Sequence, residues 1–148
     1  MSVIEQSKLI AELRELNCDV EPAEGGLFVR LHETASTFMV LQAGGWIQIA
    51  SGIIEREEVE ACARPVALYE FLLQLQGRYL GCRFALDDDS GLVIVSDIYP
   101  GTQGTTHLVN VMAQLDGVCG ALSPLIRAAV RTGEVPPDSE VDAAFASS

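Results

Sequence analysis

Two short runs of the sequence are apolar at every position, Phe38–Leu41 (Phe-Met-Val-Leu) and Leu92–Val95 (Leu-Val-Ile-Val). Because successive side chains of a β-strand point to opposite faces, a strand built from either run is apolar on both faces. Antiparallel sheets commonly leave one face in water, and their strands then alternate. The runs therefore predict a sheet whose second face is also covered, by a helix, a second subunit or a bound peptide. Burial under the long C-terminal helix is the simplest of these alternatives.

The first run lies in a predicted β-hairpin. The hairpin joins Thr37–Ala43 to Trp46–Ala50 across Gly44-Gly45, and glycine at both turn positions suits a two-residue loop. A further strand is predicted over Leu27–His32, where alternation places one set of residues on a single side: Leu27, Val29 and Leu31.

The second run lies in a second predicted hairpin, formed by Tyr79–Leu86 and Leu92–Ile98 around the turn Asp87–Gly91 (Asp-Asp-Asp-Ser-Gly). Carboxylates at alternate positions begin a calcium loop, but the run after the turn supplies no closing carboxylate. Asp, Ser and Gly are also the residues that a hairpin turn favours. We therefore expect a turn that holds no metal.

Helical periodicity predicts three helices, over residues 3–17, 65–76 and about 106–131. Gly77 is expected to cap the second helix, and Pro124 must kink or restart the third. Pro22 to Gly26 predicts a turn, and Glu55–Glu60 predicts a charged link. The element order is α-β-β-β-α-β-β-α, which predicts an α+β fold with helices packed on an antiparallel sheet.

The charge of the chain is strongly negative. Its 148 residues include 21 acidic and 9 basic side chains, a formal charge of -12. With 49% hydrophobic residues it is no disordered polyelectrolyte, and we expect one domain over residues 1–133. The acids concentrate in residues 55–60, in the turn at 87–89 and in 134–148, which we expect to be a disordered tail. This placement favours a solubilising role for the acids over a binding site.

The composition also limits partners and compartment. Nucleic acid and a polybasic membrane anchor are excluded as expected partners, because both need clustered Lys and Arg. We recognise neither a signal peptide nor a run of about 20 apolar residues that would cross a membrane. The four cysteines form no CxxC pair, so we expect reduced thiols and a cytoplasmic protein.

The sequence contains few residues in the patterns that catalytic sites use. The two histidines, His32 and His107, have no partner at metal-ligand spacing, and His32 is expected to pair with the adjacent Glu33 in water. Gly101–Thr106 precedes a helix but lacks the phosphate-binding pattern and its lysine. We therefore expect no enzyme, no metal and no cofactor. The alternative is an enzyme or small-ligand sensor with a pocket beneath the last helix, using Asp97, His107 or Tyr99.

The element order resembles that of class I type III secretion chaperones and of YbjN-like bacterial proteins. The nearest match runs from Pro65 to Arg131. It comprises a helix ending in Tyr-Glu-Phe-Leu-Leu-Gln-Leu-Gln, a hairpin similar to the family's small-x-x-aromatic-x-Leu-Asp-x-Asp-Gly-x-Leu-x-Leu pattern over Gly81–Val95, and a long helix interrupted by Pro124. Gln76 stands where the family's helix often ends in Asn, and the acidic tail has no counterpart.

The resemblance implies an acidic, cytosolic, non-catalytic homodimer that binds other polypeptides as a chaperone or as a regulator. Secretion chaperones pair through the central helix and sheet, and hold an extended client segment against apolar strand surfaces. We accordingly expect four residues of the first hairpin to bind a partner: Phe38, Val40, Ile47 and Ile49. The alternative for each of these residues is an ordinary place in the core.

Overall fold

The computed structural model describes residues 6–34, 36–43, 46–78, 82–98 and 104–146. The chain forms two compact units. The first comprises Met1–Ser51 and Val95–Asp116, and the second comprises Gly52–Ile94 and Gly117–Ser148. The six strands follow the order β1-β2-β3-β4-β6-β5 in one antiparallel sheet, so β1 and β5 are its edge strands. The α+β class predicted from the sequence is confirmed.

Eleven elements make up the described residues. The helices are α1 (Gln6–Glu15), α2 (Arg56–Glu60), α3 (Pro65–Arg78), α4 (Thr105–Thr132) and α5 (Asp138–Ala146). The strands are β1 (Cys18–Ala23), β2 (Gly26–Leu31), β3 (Thr37–Ala43), β4 (Trp46–Ile54), β5 (Arg83–Asp87) and β6 (Gly91–Ile98).

The first unit is organised by the alternation of β1 to β4, which pair antiparallel in sequence order. Alternate side chains are buried along most of these strands, as the two-residue period predicts: Cys18, Val20, Leu27, Val29, Leu31, Phe38, Val40, Ile47 and Ile49. The core also takes in Leu9 and Leu13 of α1 and Leu108 and Met112 of α4. Two side-chain hydrogen bonds attach α4 within this unit. The Thr105 hydroxyl donates to Glu12, and the Ser36 hydroxyl donates to Asp116.

The second unit has a core of its own. The buried stripe of α3 shares it with residues of β4, β6, α4 and α5: Leu68, Leu72, Leu75, Ile54, Leu92, Ile94, Leu122, Ile126 and Val141. The Arg127 guanidinium of α4 donates to the Ile53 carbonyl at 3.2 Å, which satisfies a backbone acceptor near the end of β4.

The two fully apolar runs have different surroundings. In β6 every residue from Gly91 to Ser96 is buried, so a single chain covers both faces of this strand. In β3 only Phe38 and Val40 are buried, whereas Met39 and Leu41 on the opposite face stay partly exposed. This chain therefore covers both faces of β6, whereas cover of the outward face of β3 by a second subunit or a bound peptide stays a prediction.

Two segments expected to be irregular form regular structure. The predicted turn at Pro22 lies in β1, where Cys18 and Val20 are buried and Asp19 and Glu21 are exposed. Proline lacks the N–H that a central strand needs, but an edge strand tolerates it. The predicted charged link contains α2, a five-residue helix with no buried residue. Gly77 lies inside α3 rather than at its cap.

Helix α4 continues through Pro124 without a restart. Among the described residues it is the one helix whose length and apolar composition would allow it to cross a membrane. The core helix of a globular protein meets the same two criteria, and α4 carries such a buried stripe.

The acidic segment 134–148 is not the disordered tail that the sequence predicts, because it contains α5. Val141 of this helix is buried in the second unit. Arg78 of α3 forms ion pairs with Asp138 at 3.1 Å and with Asp142 at 2.6 Å. Composition alone does not predict this helix, because it is stabilised by the burial of Val141 and by ion pairs with Arg78, which is distant in the sequence. The limits of the predicted single domain, residues 1–133, stay a prediction.

The predicted turn between β5 and β6 is confirmed. The Asp87 carboxylate accepts the N–H groups of Asp89 at 3.3 Å and Ser90 at 2.8 Å. Gly91 closes the turn with φ +84, and a Cβ at this position would lie 2.4 Å from the Ile54 carbonyl oxygen. Glycine is therefore required here both for its backbone conformation and for the close approach to β4.

We expect Gly91→Ala to lower the free energy of unfolding by at least about 2 kcal/mol, since it combines an unfavourable positive φ with a backbone clash. Gly77→Ala is the matched control. Gly77 lies in a helix with open space around it, so the added methyl should stabilise by about 0.5–1 kcal/mol. Urea unfolding of the two variants measures both values, and equal effects would contradict the close contact at Gly91.

We expect Val141→Asp to destabilise the protein by about 1–3 kcal/mol, because it places a charge where a buried side chain anchors α5. Val135→Asp adds the same charge at an exposed site before α5 and should change stability by no more than about 0.5 kcal/mol. Thermal unfolding followed by circular dichroism distinguishes the two. A disordered tail would leave both variants as stable as the wild type.

Candidate functional site

The four residues predicted to bind a partner lie in the core of the first unit. Phe38 and Ile49 are 0% exposed, Ile47 is 1% exposed and Val40 is 2% exposed. The structure therefore places these four residues in the core, which is the alternative that the sequence analysis left open. A surface available to a partner must be sought on the other side of these strands.

The opposite side of β2, β3 and β4 carries a largely apolar surface, which we name the outer sheet face: Phe28, Met39, Leu41, Trp46 and Ala50. The polar Gln48 lies on the same side, opposite Leu41. The strand register places Phe28 opposite Met39, and Met39 opposite Ala50, so these side chains form one row across three strands. Directly opposed side chains in antiparallel strands have Cβ atoms about 4.5–5.5 Å apart. The row is therefore a continuous apolar contact.

The two aromatic side chains of the outer sheet face are the most accessible. Phe28 is 39% exposed and Trp46 is 46% exposed. Exposed aromatic rings on a sheet supply large apolar area at small entropic cost, and they dominate many protein interfaces. The sequence contained the signal for Phe28, since the alternation that groups Leu27 and Val29 in the core turns Phe28 outward.

A charged cluster lies at the β1 end of the outer sheet face. The Arg30 guanidinium donates to Asp19 Oδ2 at 2.6 Å, and His32 Nε2 lies 2.9 Å from Asp19 Oδ1. The hydrogen bonds from His32 and then from Arg30 lower the pKa of the Asp19 carboxyl. The sequence predicts that His32 pairs with Glu33. In the structure His32 pairs instead with Asp19 on the neighbouring strand.

This cluster rims an open depression of ≈ 480 Å³ whose lining is mostly polar: Asp19, Val20, Glu21, Phe28, Arg30 and Thr37. The depression combines one aromatic ring with ionised groups that already pair with each other. Such a shallow, mixed surface suits contact with an extended chain better than enclosure of a small molecule.

Two residues of the alternative pocket, Asp97 and His107, lie within the described residues. Asp97 is exposed on β6, and His107 is half-buried in the first turn of α4, where its backbone N–H donates to the Gly104 carbonyl at 3.0 Å. Tyr99 lies outside the described residues, as do Gly44 and Gly45. Within residues that the structure describes, no three His, Cys, Asp or Glu side chains group as metal ligands.

The four cysteines form no disulfide in the structure. Burial raises the pKa of Cys18, with a smaller contribution from the neighbouring charge of Asp19, and burial also raises the pKa of Cys82. A raised pKa keeps a thiol protonated and weakly nucleophilic near neutral pH.

The second unit carries an apolar stripe of its own on α3. Val66 is 69% exposed and Leu73 is 65% exposed, and their separation of seven positions corresponds to about two helical turns. The two side chains therefore lie one above the other on one helical face.

Comparisons with known proteins agree with this architecture. YbjN, a candidate transcription regulator from E. coli, superposes with a TM-score of 0.60 at 15% sequence identity, and the match covers 93% of this chain and 99% of YbjN. The protein has a YbjN-like fold. The resemblance predicted from the sequence is thereby confirmed at the level of fold.

A weaker match is the heterodimeric ExoU–SpcU complex of the type III secretion system of Pseudomonas aeruginosa. Its TM-score is 0.45 at 19% identity, over 82% of this chain and 96% of the matched chain. No family model matches the sequence, and no curated protein matches it.

Proposed function

We propose that the protein is a non-catalytic polypeptide-binding protein, and that the outer sheet face packs against an apolar segment of its partner. One observation carries this proposal: Phe28, Met39 and Trp46 lie on the solvent-facing side of an antiparallel sheet. A contiguous exposed apolar patch commonly marks an interaction site in a folded protein.

The outer sheet face favours an extended partner. A segment with alternating apolar and polar residues can place its apolar side chains on Phe28 and Trp46 while its other side faces water. The buried aromatic area would provide most of the binding free energy, as it does at other interfaces. The adjacent pair of Asp19 and Arg30 offers hydrogen bonds at the rim of the contact.

The charge of the chain supports a polypeptide as the partner. With 21 acidic and 9 basic side chains, the protein repels phosphate backbones and anionic membranes. YbjN is a candidate transcription regulator, and a role in regulation or as a chaperone requires only that a partner be held. We place the protein in the cytoplasm, where its free thiols stay reduced.

We also propose that the protein is a homodimer that pairs through Val66 and Leu73 of α3. Two aliphatic side chains this exposed on one helical face gain by burial against a second copy. A twofold axis would place the α3 stripe of each subunit on that of the other, since such an interface uses one surface twice.

Binding to the outer sheet face is directly measurable because Trp46 is the only tryptophan of the chain. We expect an uncharged 12-residue peptide of alternating valine and serine to shift the Trp46 emission to the blue in a saturable way. Phe28→Asp should weaken this binding at least about tenfold, because it removes an aromatic contact and adds a charge next to Met39. Fluorescence titration gives both dissociation constants.

Two control variants complete that measurement. Thr34→Asp adds the same charge in an exposed turn and should bind as the wild type does. Val40→Asp should unfold the protein, because Val40 belongs to the core. A wild type whose Trp46 emission does not respond, or a Phe28→Asp variant that binds normally, would contradict the proposed surface.

For the dimer, we expect light scattering of the wild type to give twice the mass of one chain. Leu73→Glu should give a monomer, because it opposes two carboxylates across the twofold axis. Gln74→Glu adds the same charge at the next exposed position of α3 and should stay dimeric. A monomeric wild type, or a dimeric Leu73→Glu variant, would exclude this interface.

A further inference from the structure

Two acidic segments that lie far apart in the sequence meet in the second unit. Arg56 joins them, since its Nε donates to Glu60 Oε1 at 2.9 Å and its Nη1 donates to the Asp88 carbonyl and lies 3.4 Å from Asp88 Oδ1. The hydrogen bonds from Arg56 to Glu60 and then to Asp88 raise the pKa of the guanidinium. The acidic residues of α2 and of the β5–β6 turn therefore face a common space.

The floor of this space is apolar. Val59 of α2, Tyr69 of α3 and Leu86 of β5 line an open depression of ≈ 240 Å³, which we name the acidic groove. Leu86 is 57% exposed, although leucine gains by burial. A bound apolar side chain would cover Leu86 and the ring of Tyr69 together.

The rim of the acidic groove carries an excess of negative charge. Glu60, Asp87 and Asp88 line it together with one cation, Arg56. The backbone N–H of Ser90 lowers the pKa of the Asp87 carboxyl, so this carboxylate stays ionised at neutral pH. Arg56 is already engaged by two of the three carboxylates, and the groove therefore retains a net negative charge.

The shape of the acidic groove is set before any ligand binds. Gly91, which also lines the groove, holds the β5–β6 turn against the end of β4, where a Cβ would meet the Ile54 carbonyl and the Arg56 nitrogen. Binding to a preformed groove loses less free energy to the ordering of loops and side chains.

We propose that the acidic groove is a second binding site, which takes a polypeptide segment whose apolar side chain is flanked by lysine or arginine. The apolar side chain would cover Leu86 and Tyr69, and the flanking cations would face Glu60 and Asp88. A second copy of this chain is a poorer occupant, because the two acidic rims would repel each other. The proposal goes beyond the outer sheet face, with which the acidic groove shares no residue. Tyr69 lies between Val66 and Leu73 on α3, so a peptide in the groove is expected to compete with the proposed pairing of α3.

The test uses labelled peptides with one leucine-rich centre and three kinds of flank: lysine, glutamine or glutamate. Fluorescence anisotropy should show that the lysine-flanked peptide binds the wild type about three- to tenfold more tightly than the glutamine-flanked one, and the glutamate-flanked one least. The preference should shrink at 0.5 M salt, which screens exposed charges. The double variant Glu60→Gln/Asp88→Asn should lose it.

A matched control separates the groove from the general negative charge of the protein. Glu24→Gln/Glu33→Gln removes the same two charges from exposed positions outside the groove and should keep the preference. Leu86→Gln should weaken all three peptides. Equal losses in the two double variants, or normal binding by Leu86→Gln, would overturn the proposal.

Two further readouts assign the occupant. Binding to the acidic groove should leave the Trp46 emission unchanged, so failure here is distinct from failure at the outer sheet face. If Glu60→Gln/Asp88→Asn alters the light-scattering mass and leaves the lysine preference intact, the groove belongs to a second copy and the proposal is wrong.

Discussion

The two-residue period of an antiparallel strand is the constraint on which the first unit depends. Once Val29, Phe38 and Ile49 turn inward, their neighbours in the chain must turn outward, and the register aligns the outward set across three strands. The core and the outer sheet face are thus two results of one pairing. A shift of the register by one residue would exchange the two faces. The side chains of β3 therefore change face all together and never one at a time.

The same period explains why the sequence indicated the first hairpin but not which of its two sides is buried. The run Phe38–Leu41 is apolar throughout, so composition does not distinguish Phe38 from Met39. Only the pairing with β2, whose inward residues alternate clearly, decides which set is buried. The long C-terminal helix followed from periodicity, and both hairpins followed from apolar runs on either side of turn residues, because each of these patterns is confined to one segment.

Helix α5 and the acidic groove, both of which the sequence analysis missed, depend on contacts between distant segments. Helix α5 is held by Arg78 and by the burial of Val141, and neither contact has a local signal. The acidic groove depends on Arg56 and Asp88, which are 32 positions apart. From the sequence, the acidic residues of 55–60 and 87–89 are expected only to keep the protein soluble, because they lie in a predicted link and a predicted turn. In the structure three of these carboxylates lie beside the apolar side chains of Tyr69 and Leu86.

Pro22 has a consequence for the protein at high concentration. The strand that contains it is an edge of the sheet, and an open edge next to exposed apolar rings can add strands from other molecules and aggregate. Proline offers no N–H to an incoming strand, and the exposed carboxylates of Asp19 and Glu21 flank the site with charge. Pro22 and the charged residues before it therefore disfavour the addition of further strands at this edge of the sheet, next to the outer sheet face.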